Sequence, residues 1–306
     1  MVADSSRVLP FHIILPLASA VVYVAAALFL KRASEAGAGV WRTTRACNLV
    51  TAALFAPLWL LGGTLPSASL WWQPALVALL FIAGQVLTMV SLRIGDVSVA
   101  TPVMGVKIIL VALLTTLLLS EQLTTELWLA AALSSAGIAL LNFSRPAADS
   151  RVGTTIVTAS LAAASYALFD VLVQKWAPVW GAGRFLPVMM GFAALYSVAL
   201  RPPATEPHAL SKKAALWRTC GAACLGLQAL MLVSSIAIYR HAPVANVLYS
   251  SRGLWSVLVV WLAGHWLGGS ESRHSPRVFA WRLAGAVLLT AAIAVVSIKS
   301  GFATAK

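Results

Sequence analysis

The chain has 306 residues, of which 60% are hydrophobic and only 10% are charged, whereas a soluble domain carries about 25% charged residues. This deficit predicts a membrane protein. The formal net charge of +13 would favour nucleic-acid binding in a soluble protein, but the Lys and Arg residues lie mostly in short connections between apolar runs. Membrane proteins set their orientation by such a pattern, so nucleic acid is excluded as a partner.

Ten segments are apolar enough to cross a bilayer, which takes about 20 mostly apolar residues. In chain order, predicted helices 1 to 10 cover approximately residues 11–30, 40–62, 72–93, 97–119, 124–143, 154–174, 184–200, 215–239, 243–267 and 278–298. The connections between them are too short for a soluble domain. Backbone groups in lipid must be hydrogen-bonded within each segment, which predicts an all-α membrane protein with ten transmembrane helices.

An internal repeat relates the two halves of the chain. KRASEAGAG at 31–39 and KWAPVWGAG at 175–183 share Lys, Ala and a Gly-Ala-Gly triplet at a constant offset of 144 residues. The offset then becomes 145, at which Trp72 falls on Trp217. Five helices per half is an odd number, so the halves cross the membrane in opposite senses, which is an inverted-topology repeat of the kind found in transporters. The predicted domains are a first five-helix repeat at residues 1–143, a linker at 144–153 and a second repeat at 154–300.

A family resemblance is carried by one long stretch. Residues 91–141 read SLRIGDVSVATPVMGVKIILVALLTTLLLSEQLTTELWLAAALSSAGIALL. Together with the helix count and the repeat plan, this stretch resembles the drug/metabolite transporter superfamily in its EamA-like ten-helix branch. Ser-Glu-Gln-Leu at 120–123 stands where the family favours Gly-Glu-Arg-Leu, so the resemblance implies a structural or gating role for Glu121. Trp266 stands at the matching position in the second half, so such a role has no counterpart there.

The resemblance also carries expectations about activity. It implies that the chain moves small metabolites, amino acids or drugs through a central cavity by alternating access. We expect a multi-pass protein of the bacterial inner (plasma) membrane. The orientation stays open, because the positive-inside rule favours an N-terminus outside the cytoplasm, whereas the family commonly has both termini in the cytoplasm.

Two cations lie deep in apolar helices. Lys107 in predicted helix 4 and Arg252 in predicted helix 9 are related by the offset of 145. Each lies about ten residues from its helix start, which at 1.5 Å per residue is roughly half of a ~30 Å hydrocarbon core. An Arg at the bilayer centre costs roughly 2.5–3.5 kcal/mol on insertion scales. The resemblance implies that both helices face the central cavity, and therefore both cations are candidate substrate-binding residues.

Other polar residues complete the predicted site. Asn246 and Tyr249 share a helix face with Arg252, and Tyr166 lies one turn before Asp170 in predicted helix 6. Gln85 and Gln228, in the middle of predicted helices 3 and 8, either bridge helices or line the cavity. The predicted substrate-binding residues are Lys107, Arg252, Tyr249, Asn246, Asp170, Gln85, Gln228 and Tyr166.

Asp170 leaves several interpretations open. It either forms a structural ion pair with Lys107 or Arg252, or leaves the two cations to receive an anionic substrate group. If Asp170 itself reaches the cavity, the ligand is zwitterionic or the carboxylate couples transport to protons. Arg42 and Arg45, at the start of predicted helix 2, either snorkel to the headgroups or line an entrance.

These features predict a secondary transporter, a permease or exporter, that moves a small polar, anionic metabolite. The alternatives are an exporter of amino acids or drug-like compounds, and a non-transporting membrane subunit or flippase component. The sequence contains no HExxH, GxSxG or GxxxxGK[ST] motif, so we expect neither an enzyme nor a cofactor or metal. The expected partners are a small-molecule substrate and membrane lipids. A homodimer through predicted helices 5 and 10 is also expected from their small residues, which are Ala132, Ala136, Gly137, Ala284, Gly285 and Ala286.

Overall fold

The computed structural model describes residues 11–94, 97–141, 151–200, 206, 209–267 and 276–303. All of the regular elements in this part of the chain are helices. The α-helices are α1 (Phe11–Glu35), α2 (Val40–Phe55), α3 (Trp72–Ile94), α4 (Val97–Gly105), α5 (Lys107–Leu119), α6 (Thr125–Leu141), α7 (Val152–Trp180), α8 (Ala182–Ala199), α9 (Lys212–Tyr239), α10 (Ala242–Tyr249), α11 (Arg252–Leu267) and α12 (Pro276–Ala303). Short 3-10 helices cover Ala56–Leu61 and Ala68–Leu70.

Eight helical segments of the described chain are long and apolar enough to cross a membrane. They are Phe11–Glu35, Val40–Leu61, Ala68–Ile94, Val99–Leu119, Val152–Trp180, Ala182–Ala199, Lys212–Tyr239 and Ala280–Ile298. The apolar helix Thr125–Leu141 is shorter, and predicted helix 9 is divided between α10 and α11. The prediction of an all-helical membrane chain is therefore confirmed, while the count of ten spans stays a prediction. Most of the predicted linker, residues 144–150, lies outside the described residues.

Predicted helices 4 and 9 each contain a short break in their α-helical hydrogen bonding, although Val99–Leu119 still forms one apolar helical span. Val106 separates α4 from α5, and Ser250 with Ser251 separates α10 from α11. At both breaks the backbone tightens to bonds three residues apart, from Val106 N to Val103 O and from Ser251 N to Leu248 O. A glycine precedes the first break, and at the second the Ser250 hydroxyl donates to Val247 O. Glycine has low helix propensity, and serine hydroxyls compete for backbone groups.

The Gly-Ala-Gly triplets of the repeat end helices in the same way. Gly37, after α1, has a φ of 90°, and Gly181, after α7, has a φ of 74°. Glycine adopts this left-handed region without the steric cost that a side chain imposes. The second triplet follows a longer helix than predicted, because α7 continues beyond residue 174 to Trp180 with Pro178 inside it.

The helices pack in close pairs, notably α1 with α9, α3 with α7 and α6 with α12. A Cβ added to Gly285 would lie 2.7 Å from the carbonyl oxygen of Gly137, so α6 and α12 touch through their glycines. These small residues, predicted to allow close packing, are used inside one chain. The largest buried cluster surrounds α7 and α8, and this position puts the polar residues of α7 at the centre of the fold.

Candidate substrate site

The two helix breaks position the two predicted cations. Lys107 is the first residue of α5 and Arg252 is the first residue of α11. Each also lies ten residues after the start of the segment that precedes the break, Val97 or Ala242 (107 − 97 and 252 − 242). Both cations therefore follow an interruption of their helix at the same depth along it. Discontinuous helices place backbone and side-chain polar groups at substrate sites in many transporters.

Lys107 is neutralised within the protein. Its Nζ lies 2.8 Å from Asp170 Oδ2, and the Asp170 side chain is only 2% exposed. Asn246 Nδ2 donates to the same carboxylate oxygen at 2.8 Å and to Ala242 O at 2.9 Å. Asp170 therefore ties α7 to both α5 and α10, and the interpretation of a structural ion pair holds for Lys107.

Arg252 has a different environment. Its guanidinium carbon lies 4.9 Å from the ring centre of Tyr23 and 4.6 Å from that of Tyr249. The two rings meet edge to face, with centres 6.0 Å apart. In the part of the chain that the structure describes, no carboxylate oxygen lies within 4.0 Å of this guanidinium. Aromatic faces attract a cation but leave its full charge uncompensated.

Tyr166 lies beside the ion pair. Its ring centre is 5.7 Å from Lys107 Nζ, and it packs edge to face on Phe81 with ring centres 6.3 Å apart. A Cβ on Gly84 would come within 2.9 Å of this ring, so glycine at that position makes room for the tyrosine. Tyr23, Tyr166 and Tyr249 thus form an aromatic wall along the two cations.

Gln85 and Gln228 both bridge helices, which is one of the two roles predicted for them. Gln85 exchanges two hydrogen bonds with Asn48 of α2, at 2.9 and 3.0 Å. Gln228 Nε2 donates to Ser19 Oγ of α1 at 3.3 Å. These amides already have protein partners, whereas Arg252 has no partner of opposite charge among the described residues.

Sequence reasoning missed two features of this region. Tyr23, the single tyrosine of α1, was not assigned to the site, although a lone tyrosine in an apolar span was a usable signal. Gln174 on α7 was likewise not assigned to the site. Its amide nitrogen donates to both Glu121 carboxylate oxygens, at 3.0 and 3.1 Å, and its oxygen accepts from Ala242 N at 2.7 Å. Gln174 therefore connects Glu121 to the start of α10.

Helix α6 supports both breaks through adjacent serines. Ser135 Oγ donates to the carbonyl oxygen of Gly105 at 3.0 Å, which satisfies a backbone group at the first break. Ser134 Oγ lies 3.4 Å from Ser250 Oγ at the second break. Among the described residues no group of His, Cys, Asp and Glu could hold a metal ion. Among the described residues, the site therefore combines an arginine between two tyrosine rings, without a carboxylate partner, and the neutral Lys107–Asp170 pair.

One solved crystal structure superimposes with a TM-score of 0.70 at 16% sequence identity, covering 94% of this chain and 98% of that one. At this identity the likeness shows the fold alone. A search of curated proteins found no match.

The apolar helices and the fold define an integral, multi-pass membrane protein. Residues 10–143 match the model of the EamA-like transporter family. This first part of the chain therefore matches the family, which is part of the drug/metabolite transporter superfamily, and the predicted resemblance is confirmed there. Proteins of this family are membrane transporters and exporters rather than enzymes.

Proposed function

We propose that the protein is a secondary transporter that moves a small polar, anionic metabolite by alternating access, and that Arg252 binds the anionic group. The observation that carries this proposal is the environment of Arg252, which lies between Tyr23 and Tyr249 without a carboxylate within 4.0 Å among the described residues. A charge in apolar surroundings is costly unless it is paired. A bound anion supplies the missing partner.

The charge balance of the site supports an anion over a zwitterion. Lys107, Arg252 and Asp170 together carry one net positive charge, and Asp170 is already engaged by Lys107 and Asn246. An ammonium group of a ligand would have to displace Lys107 from that carboxylate. A carboxylate or phosphate ligand needs no such exchange, since the planar guanidinium offers two parallel hydrogen bonds.

The matched breaks support alternating access. We propose that residues 1–143 and 154–300 are inverted repeats, and that α4–α5 and α10–α11 are the corresponding broken helices. Rocking of one repeat against the other would then expose Arg252 to each side of the membrane in turn. The contacts of Ser134 and Ser135 with the two breaks make α6 the element against which both broken helices turn.

Location and assembly complete the proposal. A bacterial inner membrane is the compartment in which such a carrier would act. Ala132 and Ala136 remain exposed on α6, whereas Gly137 is used by the contact with α12. We propose that a homodimer, if formed, uses this alanine face.

The test is counterflow in proteoliposomes that contain the purified chain, with a panel of mono- and dicarboxylates, phosphate esters, amino acids and organic cations. We expect exchange of an anion, and a loss of ten- to a hundredfold in Arg252→Gln, since a hydrogen bond to a charged group contributes roughly 1.5–3 kcal/mol. Arg151→Gln is the matched control, because Arg151 is exposed at the start of α7. Anion exchange by Arg252→Gln at the wild-type rate would refute the assignment of Arg252.

The panel also separates the alternative functions. Exchange of amino acids or organic cations, with no anion exchanged, would favour an exporter of amino acids or drug-like compounds. Absence of exchange across the whole panel, together with translocation of labelled lipid, would favour a flippase component.

A further inference from the structure

A second cationic region lies where α2 and α9 begin, and its lining does not include Arg252. A cavity of about 210 Å³ there is lined by Gly39, Arg42, Arg45, Ala46, Leu49, Leu210 and Arg218. Three of these seven residues are arginines, and none of their guanidinium groups has a carboxylate oxygen within 4.0 Å in the described part of the chain. This cavity takes no part in the transport site described above.

One of these arginines, Arg45, is held in place without a carboxylate partner among the described residues. Arg45 donates to the carbonyl oxygens of Ser197, Val198 and Leu200, at 3.3, 3.0 and 2.6 Å. These bonds fasten Arg45 to the end of α8 without neutralising it. Arg42 Nε is buried and has no hydrogen-bond partner among the described residues. The cavity therefore has both positive charge and hydrogen-bonding capacity to offer.

Among the described residues, the carboxylate of Glu206 approaches this region, and both of its oxygens already accept hydrogen bonds. Glu206 accepts from the backbone N–H groups of Trp41 and Arg42, at 2.9 and 3.1 Å, and so satisfies donors at the start of α2. Gly39 makes this possible, since a Cβ there would lie 2.6 Å from Glu206 Oε2. Among the described residues, the three arginines that line the cavity and Glu206 together carry two net positive charges (3 − 1).

The cavity is polar at one end and apolar at the other. Arg42, Arg45, Ala46 and Leu49 follow the i, i+3, i+4, i+7 spacing of one helix face. Leu49 lies seven residues beyond Arg42, about 10 Å further along α2 at 1.5 Å per residue, and is 44% exposed. The arginines therefore lie at the end of the span, and the leucine lies towards the middle of the membrane.

We infer that this cavity binds the phosphate headgroup of an anionic phospholipid, with an acyl chain along Ala46 and Leu49. Basic pockets between transmembrane helices bind such headgroups through charge and hydrogen bonds. Free phosphate shares the headgroup chemistry but would not use the apolar end, and this difference separates the two sources.

The test uses the purified full-length chain in a neutral detergent, titrated with dioleoylphosphatidylglycerol, dioleoylphosphatidylcholine, glycerol 3-phosphate or inorganic phosphate. Bound lipid is counted by native mass spectrometry, and thermal unfolding is followed in parallel. We expect phosphatidylglycerol to bind at least tenfold more tightly than phosphatidylcholine. We also expect the binding of phosphatidylglycerol to weaken with added salt. We expect glycerol 3-phosphate and inorganic phosphate to bind weakly.

The variants are Arg42→Gln and Arg218→Gln, singly and together. Arg45 is left unchanged because it also supports α8. The double variant should lose at least tenfold in phosphatidylglycerol binding, each single variant should lose less, and Arg151→Gln should bind as the wild type does. Equal affinity for the two lipids, saturation by glycerol 3-phosphate at the same concentration as lipid, or an equal loss in Arg151→Gln would overturn the inference. The salt dependence and the headgroup comparison need no variant, so they decide the matter even if the double variant does not fold.

Discussion

Asp170→Asn removes the charge of the central carboxylate while keeping its shape and an oxygen acceptor for Asn246. Lys107 then loses the partner that lies 2.8 Å from its ammonium group. Removing one member of a buried ion pair costs about 3–5 kcal/mol, because the other charge stays buried and unpaired. The Lys107 side chain is 19% exposed, so we expect the lower end, about 3 kcal/mol of unfolding free energy.

A double-mutant cycle isolates the pair. Lys107→Met leaves Asp170 with Asn246 and without its cation, so this variant should also be destabilised. The double variant Lys107→Met/Asp170→Asn carries neither charge of the pair, and should therefore be more stable than the sum of the single losses predicts, by about 2 kcal/mol. The measurement is equilibrium unfolding in mixed micelles, followed by circular dichroism.

Two results would refute this reasoning. Wild-type stability of Asp170→Asn would show that the ion pair contributes nothing to the fold. Simple additivity in the double variant would show that the two residues do not interact. Arg252→Gln serves as a contrast, because Arg252 has no carboxylate within 4.0 Å among the described residues, so its removal leaves no carboxylate unpaired.

Two packing predictions accompany this one. Asn48→Ala or Gln85→Ala leaves the other amide without the two hydrogen bonds that the pair exchanges. Each variant should cost about 1–3 kcal/mol of unfolding free energy, and the double variant should cost little more than one single variant. Additive losses in the same unfolding assay would contradict a shared pair. Gly285→Ala puts a Cβ 2.7 Å from the Gly137 carbonyl oxygen and should lower the free energy of unfolding by about 1–3 kcal/mol. Gly191→Ala is the control, because no atom lies within 4 Å of the added Cβ, and it should change that free energy far less. Equal effects of the two variants would contradict the close contact.

Much of the fold was predictable because hydropathy and spacing are properties of the linear chain. The apolar runs predicted the helices, and the offset of 145 residues matched Lys107 with Arg252 before any contact was known. Helix continuity was not predictable in this way, since glycine and serine, the residue types at positions 105 and 250, occur in intact helices as well as in broken ones. The bonds from Ser135 to the Gly105 carbonyl and from Ser250 to the Val247 carbonyl take part in the two breaks, and the first of these joins two different helices.

The partners of the charges were beyond sequence reasoning. Asp170 had two possible cations at the same depth, and both pairings satisfied the spacing. Asp170 pairs with Lys107 because α7 packs beside α5, and Asn246, 76 residues away in the chain, completes its coordination. Tyr23 reaches Arg252 because α1 packs against α10 and α11.

The sequence by itself determined an all-helical membrane chain, two cations at equal depth and the residues available to form a site. These follow from the cost of exposing polar backbone to lipid and from the fixed rise of a helix. Only the tertiary structure decided which cation is neutralised and which is not, because an ion pair depends on distances of a few ångströms between helices far apart in the chain. The result is a neutral Lys107–Asp170 pair beside an arginine enclosed by two tyrosines.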